Sequence, residues 1–209
     1  FKGNMIDGAL TFPVTLDSVG ASAFQNNLIT KVSFLNTTVD KIVLGSSCFQ
    51  NNKIKTNPLT QGVRFGMADY AFADNSLTGE FSFEDENVPA PARGVISGNP
   101  GVTKVIISKF WGFIPGDAFK GLAGLKEVVI PANSKFTRVR AGASRIASPS
   151  GASTSGRPLG GRLRERSRDR ENAFKGCTSL KSVMMGEGSY SGVPSATVTL
   201  GAGAFENCV

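Results

Sequence analysis

A Phe residue recurs along this chain in a fixed setting, about once every 23 residues. A small residue precedes it, and Asn or Cys stands three places after it, as in Ala23-Phe24-Gln25-Asn26-Asn27. Phe119 carries Leu122 in that third place, and Ile96 with Asn99 forms a degenerate copy. Such regular self-similarity predicts a repeat architecture. The copies with Phe and Asn or Cys are Phe1/Asn4, Phe24/Asn27, Phe49/Asn52, Phe72/Asn75, Phe174/Cys177 and Phe205/Cys208.

Each anchor Phe leads into a second apolar pattern, which predicts a short strand because its last two apolar positions alternate and are mostly β-branched or aromatic. A further apolar residue stands five places before the next anchor, and Gly often follows it, where it would permit a turn. The strand patterns are Ile6-Leu10-Phe12, Ile29-Val32-Phe34, Leu59-Val63-Phe65, Leu77-Phe81-Phe83, Val102-Val105-Ile107, Leu125-Val128-Ile130 and Leu180-Val183-Met185. The apolar steps are Val19, Leu44, Met67, Ile114 and Leu200, with Gly20, Gly45 and Gly201 after three of them.

One repeat of this length cannot bury its own apolar positions, whereas stacked copies can. Equivalent strands would then pair as a parallel ladder, with equivalent Phe rings stacked inside it. The repeated Asn is expected where the chain turns inward, with its side chain bonded to backbone groups that no ladder reaches. Cys177 and Cys208 are expected to replace Asn there as small, buried and inert groups.

The combined pattern resembles the BspA-type (Treponema pallidum-type) leucine-rich repeat. Its cleanest strand copy is Leu125-Lys126-Glu127-Val128-Val129-Ile130-Pro131, and its cleanest anchor copy is Ala173-Phe174-Lys175-Gly176-Cys177-Thr178-Ser179-Leu180. The resemblance implies a right-handed solenoid with a parallel sheet on one face. It also implies a surface or secreted protein that adheres to matrix proteins or to other cells.

The fold expected from these observations is a repeat solenoid with one short parallel strand per turn, few short helical turns and one disordered insertion. Residues 1–137 would form about six repeats, residues 138–172 the insertion, and residues 173–209 a continuation of the solenoid. Neither end carries a polar cap, which suggests a fragment of a longer protein. The absence of a visible signal peptide therefore says little about targeting.

The insertion is also where the charge of the chain lies. The net charge is +7, yet residues 138–170 hold nine Arg and only two acidic residues, so the remainder is neutral. Its Ser, Gly, Arg and Pro composition lacks the apolar residues that a folded segment buries. Three interpretations stay open: a solvated loop without a role, a basic tether for an acidic surface, membrane or nucleic acid, and a translated intron or frame error.

Catalysis and metal binding find little support in the sequence. The chain has no His, which removes the usual general base and the commonest metal ligand. Its three Cys lack C-x-x-C spacing, so neither a zinc site nor a disulfide framework is expected. Glu84-Asp85-Glu86 lacks the spacing of a calcium loop and is expected to be a solvated turn. We therefore expect no catalytic residue, no cofactor and no bound metal.

The leading functional hypothesis is a binding module that recognises protein through the outward positions of its strands. Those positions include Lys104, Lys126, Glu127 and Lys181. Among Phe110, Trp111 and Phe113, Trp111 is expected to be partly exposed as a recognition anchor, and the two Phe residues to fill the core. The alternative is a scaffold whose basic insertion carries the activity. Protein ligands are expected, whereas nucleic acid and a transmembrane segment are not.

Overall fold

The computed structural model describes residues 1–35, 40–59, 63–83, 92–108, 110–111, 113–131, 138–139 and 173–185. In this part of the chain the regular structure is entirely β, and every strand pair is parallel. The anchor segments are hydrogen-bonded turns, and none of the described residues forms a helix. The strands are β1 Asp7–Phe12, β2 Ser18–Val19, β3 Leu28–Phe34, β4 Ile42–Leu44, β5 Phe65–Met67, β6 Thr78–Ser82, β7 Gly101–Ile106, β8 Phe113–Ile114, β9 Glu127–Ile130, β10 Arg138–Val139 and β11 Ser182–Met185.

The strands line two faces of a coil, so the predicted solenoid is confirmed. One face carries the pair β1 and β3 and a four-stranded sheet in the order β6, β7, β9, β11. The other face carries a three-stranded sheet in the order β2, β4, β5 and the pair β8 and β10. Between β3 and β6, residues 53–55 bridge the gap, since Lys53 N donates to Ile29 O and Thr78 N donates to Lys55 O. Each coil thus contributes to two faces, whereas one strand per turn was predicted. The second strand is the apolar step before each anchor.

One strand assignment from the sequence was wrong. Phe65 was placed in the longer sheet after Leu59 and Val63, but Phe65–Met67 pairs with Ile42–Leu44 on the second face. The residue that occupies the longer face in this coil is Ile54, which is fully buried. The Oδ1 atom of Asn75 accepts from Ile54 N just as Asn52 Oδ1 accepts from Ile29 N. The irregular length of this repeat hid that equivalence.

The anchor rings form the predicted stack in the first four coils. The ring centroids of Phe1, Phe24, Phe49 and Phe72 follow one another at 5.5, 5.5 and 5.4 Å, with interplanar angles of 9°, 7° and 4°. Ile96 ends this stack. Aromatic pairs in contact add about 0.5–1.5 kcal/mol beyond the burial of their area.

The repeated Asn has the predicted role, which Asn52 illustrates. Its Nδ2 atom lies 2.8 Å from Phe24 O of the preceding coil and 3.0 Å from Phe49 O of its own turn. Its Oδ1 atom accepts from Ile29 N at 3.2 Å. One amide therefore ties two successive coils together while it satisfies buried backbone groups. The same arrangement recurs at Asn27, Asn75 and Asn99.

Cys177 replaces Asn as expected. Its thiol is buried, and Sγ lies 3.1 Å from Phe119 O, the carbonyl that corresponds to the one bonded by each Asn. Cys48, on the other side of an anchor, is buried as well, and burial raises the pKa of its thiol to about 12. A thiol that stays protonated is chemically inert. Cys208 and Phe205 lie outside the described residues.

Each anchor turn contains left-handed residues two places before and two places after the Phe position. This conformation favours Gly, Asn and Asp, and the chain supplies such residues at most of these positions. Gly20 and Gly45 were expected to serve a turn, but neither has a positive φ. A Cβ at Gly45 would lie 2.5 Å from Ala21 N of the preceding coil, so close packing is what requires this glycine. The left-handed residues are Ser22, Ser47, Tyr70, Gly94 and Asp117 before the anchors, and Gly3, Asn26, Asn51, Asp74, Gly98, Gly121 and Gly176 after them.

The solenoid closes across the insertion. Phe119 N donates to Ala173 O at 2.9 Å, and β9 pairs directly with β11, so these segments lie in adjacent coils. Val139 of β10 pairs in register with Ile114, the apolar step of the preceding coil. Residues 138 and 139, which the sequence places at the start of the insertion, form β10. The rest of that segment lies outside the described residues.

Candidate functional site

The solvent side of β6, β7 and β9 carries a row of alternating charge. The parallel register places Glu80 opposite Lys104, and Lys104 opposite Glu127. Lys104 Nζ lies 3.3 Å from Glu80 Oε2. The next residue along each strand, such as Val105 or Val128, is apolar and lies buried in the core. The alternation therefore places Lys104 and Glu127 on the outer side of the sheet.

An apolar row runs beside the charged one. Ile106 is opposite Val129, and both are half-buried. On β6 the position opposite Ile106 is held by Ser82, which is polar. The outer face thus combines paired charges with aliphatic surface over adjacent strands.

Lys126 and Lys181 stand side by side at the point where β9 and β11 begin. Both are exposed, and Lys181 N donates to Lys126 O at 2.9 Å. Adjacent parallel strands are about 4.8 Å apart, so the two side chains leave the same edge of the face. The structure therefore brings all four predicted lysine and glutamate residues to one surface. Whether that surface binds a ligand stays a prediction.

Trp111 does not belong to that surface, and its predicted exposure was wrong. The residue is 0% exposed, and its ring centroid lies 4.7 Å from that of Phe83. Phe110, which was predicted to be buried, is 39% exposed. A turn in which Trp111 N donates to Ser108 O directs the larger indole inward. Burial of the largest aromatic surface favours this choice, and three neighbouring aromatic residues offered no local signal for it.

Sequence reasoning missed a polar cluster on the turn edge, which is the edge of the coil formed by the anchor turns. Asp117 is only 2% exposed, and its Oδ2 atom lies 2.6 Å from the NH2 group of Arg93 and 2.7 Å from Arg93 Nε. The hydroxyl of Tyr70 donates to the same oxygen at 3.3 Å. Burial raises the pKa of Tyr70. The cluster ties three successive coils together at residues that precede the anchors by two or three places.

A cavity of about 260 Å³ opens beside this cluster. Gln50, Tyr70, Asp74, Ser97 and Lys120 line it together with two glycines. Gln50 Nε2 donates to Asp74 Oδ2 at 2.9 Å, which closes one side. Aromatic, amide, carboxylate and ammonium groups therefore converge on one depression.

A family model described as BspA type leucine-rich repeat region matches residues 4–89 in six copies. Residues 4–89 are therefore similar to a BspA-type leucine-rich repeat region. β7 pairs with β6, which belongs to the matched residues, and β9 and β11 follow in the same sheet. No curated protein and no solved structure matches the chain.

The BspA-type repeat family suggests a repeat protein for protein interaction or adhesion. Among the described residues, no group of three or more His, Cys, Asp or Glu side chains could hold a metal ion. Glu84-Asp85-Glu86 lies outside that part. None of the described residues forms a helix that is long and apolar enough to cross a membrane.

Proposed function

We propose that this chain is a non-catalytic binding module, secreted or at the cell surface, which recognises a protein ligand of the matrix or of another cell. The BspA-type family supports the class of function and the location. The observation that carries the choice of surface is the outer face of β6, β7 and β9, where the charged row lies directly beside the aliphatic pair Ile106 and Val129.

The composition of this face suits protein recognition. Protein interfaces combine apolar surface with a polar surround, and Ile106 and Val129 lie next to Lys104 and Glu127 in this way. The strands that carry them are fixed by the ladder, so few backbone degrees of freedom remain to be lost on binding. A preorganised platform of this kind is what a stack of repeats provides.

The charges on the face can exchange partners at little cost. Lys104 and Glu80 are 35% and 51% exposed, and an ion pair exposed to this degree contributes about 0–1 kcal/mol. A ligand carboxylate can therefore replace Glu80 at Lys104 without a large penalty. Lys126 and Lys181 add two further cations at the same edge.

Charge reversal on the face tests this proposal. The variant Lys104→Glu/Lys126→Glu is compared with Lys41→Glu, which changes an exposed lysine beside β4 on the second face. Binding to a panel of immobilised, purified matrix proteins is measured by surface plasmon resonance. We expect the double variant to lose at least about tenfold in affinity, or about 1.4 kcal/mol, and the control to bind like the parent chain.

The same assay separates the proposal from the alternative in which the basic insertion binds. Deletion of residues 141–170 removes most of the Arg residues of that segment. Binding by the strand face survives the deletion, whereas binding through the insertion is lost and depends steeply on salt. Equal binding by the charge-reversal variant and the parent would contradict a role for this face.

A further inference from the structure

The cavity on the turn edge arises from the size of the residues that directly follow the anchors. Gln50 and Lys120 occupy this place in their coils, but the two coils between them carry the smaller Ala73 and Ser97. One long side chain, Gln50 or Lys120, therefore stands at each end of a gap that spans two coils. The gap is the cavity of about 260 Å³.

Tyr70 forms one wall and is held rigidly. Its ring lies over Gly94 of the next coil, so closely that a Cβ at Gly94 would overlap the ring. Its hydroxyl reaches Asp117 one coil further on. Because Gly94 has a positive φ as well, glycine is required there both for space and for conformation. The Arg93 guanidinium lies over the ring, with Cζ 5.9 Å from its centroid, and Tyr70 contributes to the lining of the cavity.

Another part of the lining is polar and is also fixed. Asp74 occupies a left-handed position, and its Oδ1 atom lies against Gly98, where a Cβ would overlap it. Its Oδ2 atom accepts from Gln50 Nε2, which itself belongs to a chain of amides because Gln25 Nε2 donates to Gln50 Oε1. A carboxylate acceptor is thus presented at a defined place.

Lys120 is held near the cavity by a buried charge. Its Nζ atom lies 4.0 Å from Asp117 Oδ1, which is buried and accepts no hydrogen bond within the described part of the chain. Arg93 and Tyr70 both bond to the other oxygen of that carboxylate. The uncompensated oxygen attracts the ammonium group, which is half exposed and keeps donors for a ligand.

We propose that this cavity binds a neutral hexose unit. The charges of Asp74 and Lys120 cancel, so a ligand with net charge would meet one repulsive group, whereas a neutral one would not. Hydroxyl groups both donate and accept, which matches the carboxylate of Asp74 and the ammonium of Lys120, both of which line the cavity. The apolar C–H face of a sugar ring packs on the Tyr70 ring. The site lies away from the outer face of the strands, and its binding of a sugar does not depend on the protein binding proposed for that face.

Saturation-transfer NMR with the whole chain tests the proposal, because it detects weak binding. The probes are glucose, galactose, mannose and N-acetylglucosamine. Lys120→Met and Asp74→Asn each remove one charged partner, and Asn is tolerated at the left-handed position of Asp74. The matched controls are Lys2→Met and Asn51→Asp, which change equivalent positions of other coils that do not line the cavity.

We expect at least one of the four sugars to bind, with affinity about tenfold weaker in each cavity variant, since each variant removes a charged hydrogen-bonding partner of the ligand. The controls should bind like the parent, and circular dichroism confirms that every variant is folded. Absence of binding to all four sugars overturns the proposal, as does equal binding by the cavity variants and the controls.

The methyl glycoside of the bound sugar distinguishes two sources of the ligand. Equal binding of glycoside and free sugar indicates the terminal unit of a glycan, and loss of binding by the glycoside indicates the free sugar. Stronger binding of inorganic phosphate or acetate than of any sugar would show an anion site instead and would overturn the proposal.

Discussion

The first four coils and the later ones hold the same backbone turn with different interiors. Up to Phe72 each coil repeats an anchor ring and an Asn, and the rings stack nearly parallel. Beyond it the anchor becomes Ile96, the Asn place is taken by Leu122 and then Cys177, and the Phe119 and Phe174 rings tilt by 46°. The turn survives, since Leu122 N donates to Phe119 O and Cys177 N to Phe174 O.

This difference shows that side-chain ladders stabilise the coil but are not required at every turn. Where the internal stack ends at Ile96, an external link joins the coils instead. Tyr70, Arg93 and Asp117 belong to three successive turns and meet at one carboxylate oxygen. Backbone pairing defines the turn, and the side chains decide how strongly adjacent coils are held.

The largest effect is expected from breaking the ring stack. Phe49→Ala removes a ring that contacts the anchor rings on both sides, so the loss of stability should be about 4 kcal/mol. Ile96→Ala, at the same position outside the aromatic stack, should cost about 2 kcal/mol less, because the residue it removes is smaller and because it belongs to no stacked ring pair. Urea unfolding followed by circular dichroism measures both losses. A difference of about 1 kcal/mol or less, which the size of the residues explains, would mean that the stack adds nothing beyond buried volume.

The Asn ladder should come next. Asn52→Ala leaves Phe24 O and Ile29 N without their side-chain partner and should cost about 3 kcal/mol, because each unsatisfied buried group costs about 1–3 kcal/mol. Cys177→Ala removes one weak thiol contact and should cost about 1 kcal/mol. The same unfolding assay compares them. A Cys177→Ala variant as unstable as Asn52→Ala would contradict the ranking.

The external link should contribute less. Asp117→Asn removes the charge that holds Arg93 while it keeps a side chain suited to the left-handed position, and the expected loss is about 2 kcal/mol. Tyr70→Phe removes a single hydrogen bond and should cost about 1 kcal/mol. Thermal melting near neutral pH measures both losses. If Asp117→Asn is neutral, the cluster does not compensate for the interrupted stack.

The smallest effect is expected from removing the insertion. Deletion of residues 141–170 restores the five-residue spacing between Val139 and Phe174 that the apolar step keeps from the anchor in other repeats. The free energy of unfolding should change by less than about 1 kcal/mol, because halving the length of a loop alters its closure entropy by about 0.6 kcal/mol. A large loss of cooperativity in the melt would show that the segment packs on the coils.

The sequence determined the period, the parallel stack, the Phe anchors and the role of the repeated Asn. It could do so because equivalent residues of successive repeats must lie on top of one another, so a one-dimensional pattern becomes a three-dimensional ladder. It also placed Lys104 and Glu127 outward, since alternation along a strand is a local property.

Only the tertiary structure decided the features that depend on which coil lies next to which. It turned Trp111 inward because Phe83 of the neighbouring coil offers the contact. It paired Val139 with Ile114, the apolar step of the preceding coil, although the insertion separates Val139 from the next anchor, Phe174. It assembled Tyr70, Arg93 and Asp117, and the cavity beside them, from coils that no local pattern connects. Stacking sets these neighbours, and for that reason the cavity could not be read from the order of residues.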